Sequence, residues 1–545
     1  MQNLAKFIVI TLIITMFHSC DCKKEESSHF DWKNATVYFM LTDRFNNGDP
    51  TNDVNFDRTA ETKELRKFTG GDFSGITKKI KEGYFNNLGV DALWFSPVNE
   101  QIHGYVDEGQ SNTYAFHGYW IRDWTSIEPN WGTEEDLKEL VENAHENGIR
   151  VILDVVINHT GPVTDKDPVW PGDWVRTEPQ CTYQDYESTV FCTLVKNLPD
   201  VITEQTKEVE IPKQLLEKWE KEGRLDKELI ELDEFFARTG YPRTPRYYII
   251  KWITDFIRKY GIDGFRVDTV KHTEADVWAD LSKEARIAFA EWKSINKEAI
   301  QEGQEFFMLG ETYNYNALNG RDFDFGDSLV DYFDNGFDSQ INFGFKGDAN
   351  KDYEELFSSY SDQLIDGDLK EVTTMNYISS HDDSWPFDKE RNRTFESATK
   401  LMLCPGQVQI YYGDETARPL IIDGAQGDVN LRSKMNWGEN PELLKHWQKL
   451  GKFRQRHPAI GAGRHEMISE SPYVFARTYQ KDDKSDVVIV ALNVKDMPTS
   501  INVADYCVDG DILTDAYGGK KYEVKNGEVE VMADNQIVLL SIFTN

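Results

Sequence analysis

The sequence predicts an α/β protein: a (β/α)8 barrel followed by an antiparallel β-sandwich. Three observations carry that prediction. Short apolar runs alternate with amphipathic helical stretches, which implies a parallel sheet covered on both faces. Polar residues recur at the C-terminal ends of those runs, where a (β/α)8 barrel assembles its active site. After about residue 464 the pattern changes to period-two alternation, which marks strands with one buried face. A doubly wound open sheet is the alternative for the first part.

The runs that read as strands are residues 36–43 (TVYFMLTD), 92–97 (ALWFSP), 150–159 (RVILDVVINH), 264–270 (GFRVDTV), 306–311 (FFMLGE), 374–382 (TMNYISSHD) and 408–414 (VQIYYGD). Residues 133–147 and 247–260 are amphipathic helices between them. The connection 160–245 is far too long for a simple loop. It is rich in Pro, Trp and Asp, with a charged helical patch at 213–236. Long ordered insertions of this kind are functional or form subdomains. Strands at 473–479, 487–493 and 537–543 supply the C-terminal sandwich.

At the N-terminus Lys6 precedes an apolar run, 7–17, and then Ser19-Cys20. The run is too short to span a bilayer as a mature helix and reads as a signal-peptide core. A small residue before Cys20 resembles a bacterial lipoprotein cleavage site, although Phe17 and His18 depart from that pattern. Cys20 then becomes the lipidated first residue, on an outer-membrane lipoprotein facing the periplasm or the cell surface. Plain secretion is the alternative. The polar stretch 21–28 suits a tether. The expected plan is a signal peptide at 1–19, a tether at 20–30, a barrel at 31–159 and 246–460, an insertion at 160–245 and a sandwich at 461–545. A chain of 545 residues is long enough for two or three domains.

The formal net charge of −34 argues against nucleic acid and anionic membranes as partners. Contact with a membrane is expected only through the lipid anchor. A neutral polysaccharide is compatible, and the 14 Trp and 24 Tyr include rings that can serve sugars as flat platforms. Cys181 and Cys192 lie close together in an exported chain, which makes a disulfide plausible. Cys22, Cys404 and Cys507 look unpaired. No CxxC or Cys/His cluster points to zinc.

Hydrolysis of a glycosidic bond needs two carboxyl groups. Strand alternation puts Arg266 and Asp268 on one face, where the guanidinium can keep Asp268 ionised and oriented as a nucleophile requires. Glu311 ends the next strong strand, His381-Asp382 a later one, and Asp154 with Asn158-His159 an earlier one. Taken singly, an Asp after a strand is more often a helix cap. The ordered set, each member at a strand end, is much harder to obtain by chance.

Four motifs in order, DVVINH (154–159), GFRVDTVKH (264–272), GET (310–312) and SSHDD (379–383), resemble the conserved regions of the α-amylase family, glycoside hydrolase family 13. The resemblance extends from about residue 36 to the C-terminus. It implies that Asp268 is the nucleophile, Glu311 the acid/base and Asp382 the third carboxylate, which binds the distorted sugar. It implies that Arg266, His159 and His381 hold hydroxyls and tune the acids, with Asp154 beneath them. Tyr119, in AFHGYW (115–120), matches the tyrosine that stacks on the same sugar. Phe116 replaces the more usual tyrosine. Lys271 and His272 match the substrate-binding pair after the nucleophile, which favours both calcium and α-1,4 bonds.

The same resemblance makes the insertion a domain B between the third strand and third helix, with LPD (198–200) similar to a fifth conserved region. Residues 203–244 exceed the family pattern and read as a solvated helical excursion, with a wall of the substrate groove as the alternative. The oxygen-rich stretch 47–53 reads by itself as an Asp/Asn/Gly turn. The resemblance implies a calcium site there, with side chains of Asn47, Asp49, Asn52, Asp53 and Asp72 and the Gly70 carbonyl. A second set comprises Asn158, Asp200 and the His272 carbonyl.

The expectation is a retaining, calcium-binding glycosidase. It cleaves α-1,4 bonds of starch-like glucans or malto-oligosaccharides as a monomer. Neopullulanase-like, cyclomaltodextrinase-like, α-1,6-acting and transglycosylating relatives share these motifs and are the alternatives. The chain ends soon after the sandwich, which argues against a cyclodextrin glycosyltransferase. A non-catalytic glucan-binding lipoprotein is the outside alternative, and three intact acids oppose it.

Overall fold

The computed structural model describes residues 30–109, 111–297 and 304–542. The expected signal peptide, the lipidation site at Cys20 and Cys22 lie outside the described residues. Among the described residues no helix is long and apolar enough to cross a membrane.

Eight parallel strands close into a barrel: β1 (Thr36–Met40), β2 (Ala92–Phe95), β3 (Arg150–Val155), β4 (Gly264–Val267), β5 (Phe307–Gly310), β6 (Ser339–Asn342), β7 (Thr373–Tyr377) and β8 (Gln407–Tyr411). Each pairs with its sequence neighbours, and β8 returns to β1. That closure excludes the open doubly wound sheet. Every residue of β1, β2, β3 and β4 is buried, because one face lines the lumen and the other lies under helices.

The sixth strand was not among the apolar runs. Its sequence is Ser-Gln-Ile-Asn, fully buried, and each polar side chain finds a partner within the barrel, although Gln340 Nε2 has none. Ser339 donates to Gln407 (2.7 Å), Gln340 accepts from Thr312 (2.9 Å), and Asn342 donates to Asn376 and Tyr360 (2.8 Å each). Partners of this kind remove the desolvation penalty that would otherwise expel such residues.

Helix α1 (Glu134–Glu146) starts on a capping box between Thr133 and Asp136, which satisfies the free amides of its first turn. Domain B leaves after β3 and carries a disulfide between Cys181 and Cys192. Cys404 and Cys507 are free and buried. The chain rejoins the barrel at α4 (Pro245–Tyr260), whose proline sits in the first turn, where its missing N–H leaves no helix bond unmade.

The stretch expected to be a solvated helical excursion is helical at 213–221 and 225–239, and it is solvated on one face and packed on the other. Helices α2 (Lys213–Lys221) and α3 (Leu225–Thr239) bury Leu215, Trp219, Leu232, Phe235 and Phe236. Trp219 donates to Thr125 (3.1 Å), and Lys218 and Arg224 reach the buried Asp123 at 2.7 and 3.3 Å. These helices brace the outside of the barrel against the strand Ile121–Ile127 and α4. The charges suggested solvent because the buried stripe is narrow, and the charged residues facing inward are paired.

The C-terminal part is antiparallel. Strands β9 (Arg464–Ser469), β10 (Tyr473–Lys481), β11 (Lys484–Leu492), β12 (Thr499–Asn502), β13 (Ile512–Asp515), β14 (Lys521–Glu523), β15 (Glu528–Val531) and β16 (Ile537–Ile542) form it. Six pair in the order β9-β10-β11-β16-β13-β14, and β12 pairs with β15. The two sheets enclose a separate apolar cluster that includes Val474, Ile489, Ile501, Leu513, Val529 and Val538. On the barrel side, buried Arg477 donates to the carbonyls of Leu403 and Ile460 at 2.6 and 2.5 Å.

Candidate active site

The C-terminal ends of β3, β4, β5 and β7 bring the expected residues into one cluster. Arg266 is its centre. One Nη1 atom lies 2.9 Å from Asp154 and 2.8 Å from Asp268, and Nη2 lies 3.1 Å from Glu311. Asp154 also accepts from Trp94 (2.9 Å) and Tyr119 (2.8 Å). It is thus a buried support, and burial pushes its carboxyl up to about 7.

One guanidinium cannot keep every neighbouring carboxyl ionised. Burial, with the charges of Asp268 and Asp382, raises Glu311 well above the ordinary Glu value of 4.5 although Arg266 opposes it. Glu311 is therefore equipped to carry a proton, while its Oε2 accepts the Thr269 amide at 2.9 Å. Thr269 sits at φ 52°, a left-handed conformation that is strained for a β-branched residue. That turn aims its amide at Glu311 directly after Asp268. Burial likewise raises Asp382, and Arg266 and Arg432 pull it down. The Asp382 side chain is 29% exposed against 9% for Asp268 and 7% for Glu311, so Asp382 faces the mouth of the site.

The aromatic residues fix the histidines. Tyr119 stacks on His381 at 5.1 Å, and Phe39 meets the same imidazole edge-on at 5.1 Å. His159 lies 3.1 Å from the Tyr119 carbonyl and 3.2 Å from Asn158 Oδ1. Burial lowers both His159 and His381 below the usual 6.5, so each is a neutral hydrogen-bonding group. Phe116 has no hydroxyl to place; its ring lies under the Arg44 guanidinium at 3.7 Å, which accounts for the aromatic without the oxygen. Lys271 stands 5.3 Å from the rings of Tyr313 and Phe323. His272 Nδ1 lies 3.0 Å from the domain B carbonyl of Thr189.

Taken together these groups offer a buried carboxyl paired to Arg266 beside a second carboxyl that burial shifts towards its protonated form, which is the kind of pair glycoside hydrolysis requires. The family profile described as alpha amylase, catalytic domain, matches residues 39–419. The chain belongs to the α-amylase family. It is a glycosidase, a hydrolase of O-glycosyl bonds. It is 36% identical over 528 residues to the periplasmic α-amylase of Escherichia coli, covering 85% of this chain and 73% of that one. It is 28% identical over 471 residues to a cyclomaltodextrin glucanotransferase of Geobacillus stearothermophilus, of which it spans 59%. The crystal structure of an Anoxybacillus α-amylase superposes with a TM-score of 0.66 at 24% identity, covering 95% of this chain and 100% of that one. That likeness bears on the fold.

Two side chains of this amylase-family site are not marked by the sequence. Trp94 was visible only as a strand residue, and nothing local marks it as a donor to Asp154. The Arg432 guanidinium donates to the His381 carbonyl at 2.9 Å from a loop after β8 that carries no motif.

The residues expected around calcium fall into two sets. Among the described residues no group of three or more His, Cys, Asp or Glu side chains converges on a metal position, so both sets would depend on amide and carbonyl oxygens. At the domain B junction Asn158 donates to Asp200 (2.8 Å) and to the His272 carbonyl (3.0 Å), which brings all three expected residues together. Arg176 also lies 2.7 Å from Asp200. In the N-terminal loop Asn47 donates to Asp53 at 2.9 Å. Gly70 packs so tightly on both that a Cβ there would strike them. Asn52 Oδ1 is buried without a hydrogen-bond donor, an oxygen of the kind a cation takes as a ligand. Asp72 is otherwise engaged: its carboxylate accepts the amides of Gly48, Asp49 and Gly75 and caps a helix. Asp49 accepts from Thr51 within its own turn.

Proposed function

We propose that this enzyme hydrolyses α-1,4-glucosidic bonds of starch-like glucans or malto-oligosaccharides with retention of configuration. The observation that carries the reading is Arg266 shared between Asp268 and Glu311, with Glu311 raised well above 4.5. Asp268, held by Arg266, attacks the anomeric carbon and displaces the leaving oxygen. Glu311 gives that oxygen its proton. The resulting glycosyl ester is opened by water, from which Glu311 takes a proton back. Asp382, His159 and His381 bind sugar hydroxyls, and Tyr119 offers its ring to the same sugar. The names of the Escherichia coli and Geobacillus relatives both describe α-glucan chemistry, which supports the substrate class.

Calcium supports the fold in this reading. Asn158, Asp200 and the His272 carbonyl would hold one ion, and Asn47, Asn52, Asp53 and the Gly70 carbonyl another. Bound there, the ions supply charge that fixes loops, and no chemical step passes through them. At the first set the Asn158 amide would have to turn its oxygen inward. Export is supported by the periplasmic relative, and lipidation at Cys20 by the Ser19-Cys20 motif.

Proton NMR of the first product from starch or maltoheptaose tests the mechanism. The α-anomer should appear before mutarotation, whereas an initial β-anomer would require inversion and overturn it.

A further inference from the structure

Trp385 is the most exposed aromatic side chain among the described residues, at 80%. It lies three positions after Asp382, on the loop that leaves β7. That loop is firmly held. Asp383 is buried, accepts from Tyr377 (2.6 Å) and from the Trp385 amide (3.1 Å), and pairs with Lys346. Ser384 donates to Asp428 at 2.6 Å, and Lys389 donates to the Ser384 carbonyl at 3.2 Å. Asp383 thus anchors a segment that sends Asp382 into the site on one side and the indole into solvent on the other.

A second partly exposed ring adjoins the same loop. Tyr313, 42% exposed, follows Glu311 by two residues. Its ring meets Phe343 at 4.9 Å, and Phe343 meets Tyr377, the donor to Asp383, at 5.7 Å. The tethered indole and Tyr313 therefore both connect to Asp383, the first through the Trp385 amide and the second through Phe343 and Tyr377. A large apolar ring held out in water on an anchored backbone suits a ligand with a flat apolar face. The C–H face of a glucose residue is such a surface.

We infer that Trp385 is the stacking platform of an outer glucan subsite and sets the enzyme's preference for longer chains. The inference rests on the α-glucan reading of the site. Loss of an aromatic stacking partner is worth about 3- to 10-fold in affinity.

The test is calorimetric titration in the Asp268→Asn background, with maltotriose and maltoheptaose as probes. Trp385→Ala should weaken maltoheptaose about 3- to 10-fold more than maltotriose, and Trp385→Phe should restore most of the difference. Val508→Ala trims another solvent-facing apolar side chain, 71% exposed in the C-terminal domain, and should change neither constant. Equal loss on both probes overturns the inference, as does no loss or a Phe variant no better than Ala. If neither probe binds the protein with Trp385 intact, the α-glucan reading itself falls, which is a separate outcome.

Discussion

Arg266 decides the chemistry at the scale of single residues. Its two Nη atoms reach three carboxyls, at 2.8, 2.9 and 3.1 Å, and it is itself buried. On the proposed mechanism, Asp268→Asn keeps the volume and removes the attacking charge. It should lower kcat by on the order of 10⁴-fold or more. Glu311→Gln removes the transferable proton and should cost about 10²–10⁴-fold. Both variants should keep the wild-type circular dichroism spectrum, and activity within about tenfold of wild type in either would mean that the roles are misassigned. The pH profile follows from the same geometry. If Glu311 is the acid, as proposed, its raised carboxyl must be protonated to act, so kcat/KM should fall as pH climbs through its folded-state value. That alkaline limb should lie well above 4.5, the ordinary Glu value. It should move or vanish in Glu311→Gln, and a limb at the ordinary value in wild type would contradict the burial argument. The acids, arginine and histidines were legible in the sequence because each closes an apolar run. Trp94 and the Thr269 amide were not, because their roles come from register and from a backbone twist.

Among the elements, those with apolar periodicity were legible and those stabilised by pairing were not. Seven barrel strands stood out as apolar runs, while β6 escaped because Ser339, Gln340 and Asn342 are polar and their partners are distant in sequence. The insertion failed for a related reason. Its buried face on α2 is as narrow as Leu215 and Trp219, and salt bridges to Asp123 carry the rest. Trp219 is fully buried and lies edge-on to Trp252 at 6.2 Å, so it is a structural pin between the insertion and α4. Trp219→Ala should destabilise the protein by about 3–5 kcal/mol, read as a shift in the urea midpoint. A solvated excursion would tolerate the change within about 0.5 kcal/mol, so a midpoint that does not move would restore that reading.

At the scale of the whole molecule, hydrogen bonds hold domain B to the barrel beside the site. His272 bonds across to Thr189, and Asn158 ties Asp200 to the His272 carbonyl. Asp200 is the weak point of this junction. Burial pushes its carboxyl up to about 8 despite the Arg176 guanidinium. In the absence of a further cation its folded pKa exceeds the unfolded value of 3.8. Its contribution is then fully present below 3.8 and is lost as pH rises towards about 8. A bound calcium ion reverses that sign, because it requires the ionised carboxylate and favours it by direct coordination. Calcium should therefore bind more weakly by up to tenfold for each pH unit below about 8. It should also stabilise the protein more at pH 8 than at pH 6. At a hundredfold excess over its dissociation constant, a ligand specific for the folded state adds about 2.7 kcal/mol. Thermal melts with excess EDTA or millimolar calcium at the two pH values check this directly. The melting temperature should rise with calcium at both and rise further at pH 8, and activity should decline on chelation only as domain B loosens. Identical melts in EDTA and calcium, with no metal in the purified protein, would instead make Arg176 the sole cation that holds Asp200 in place.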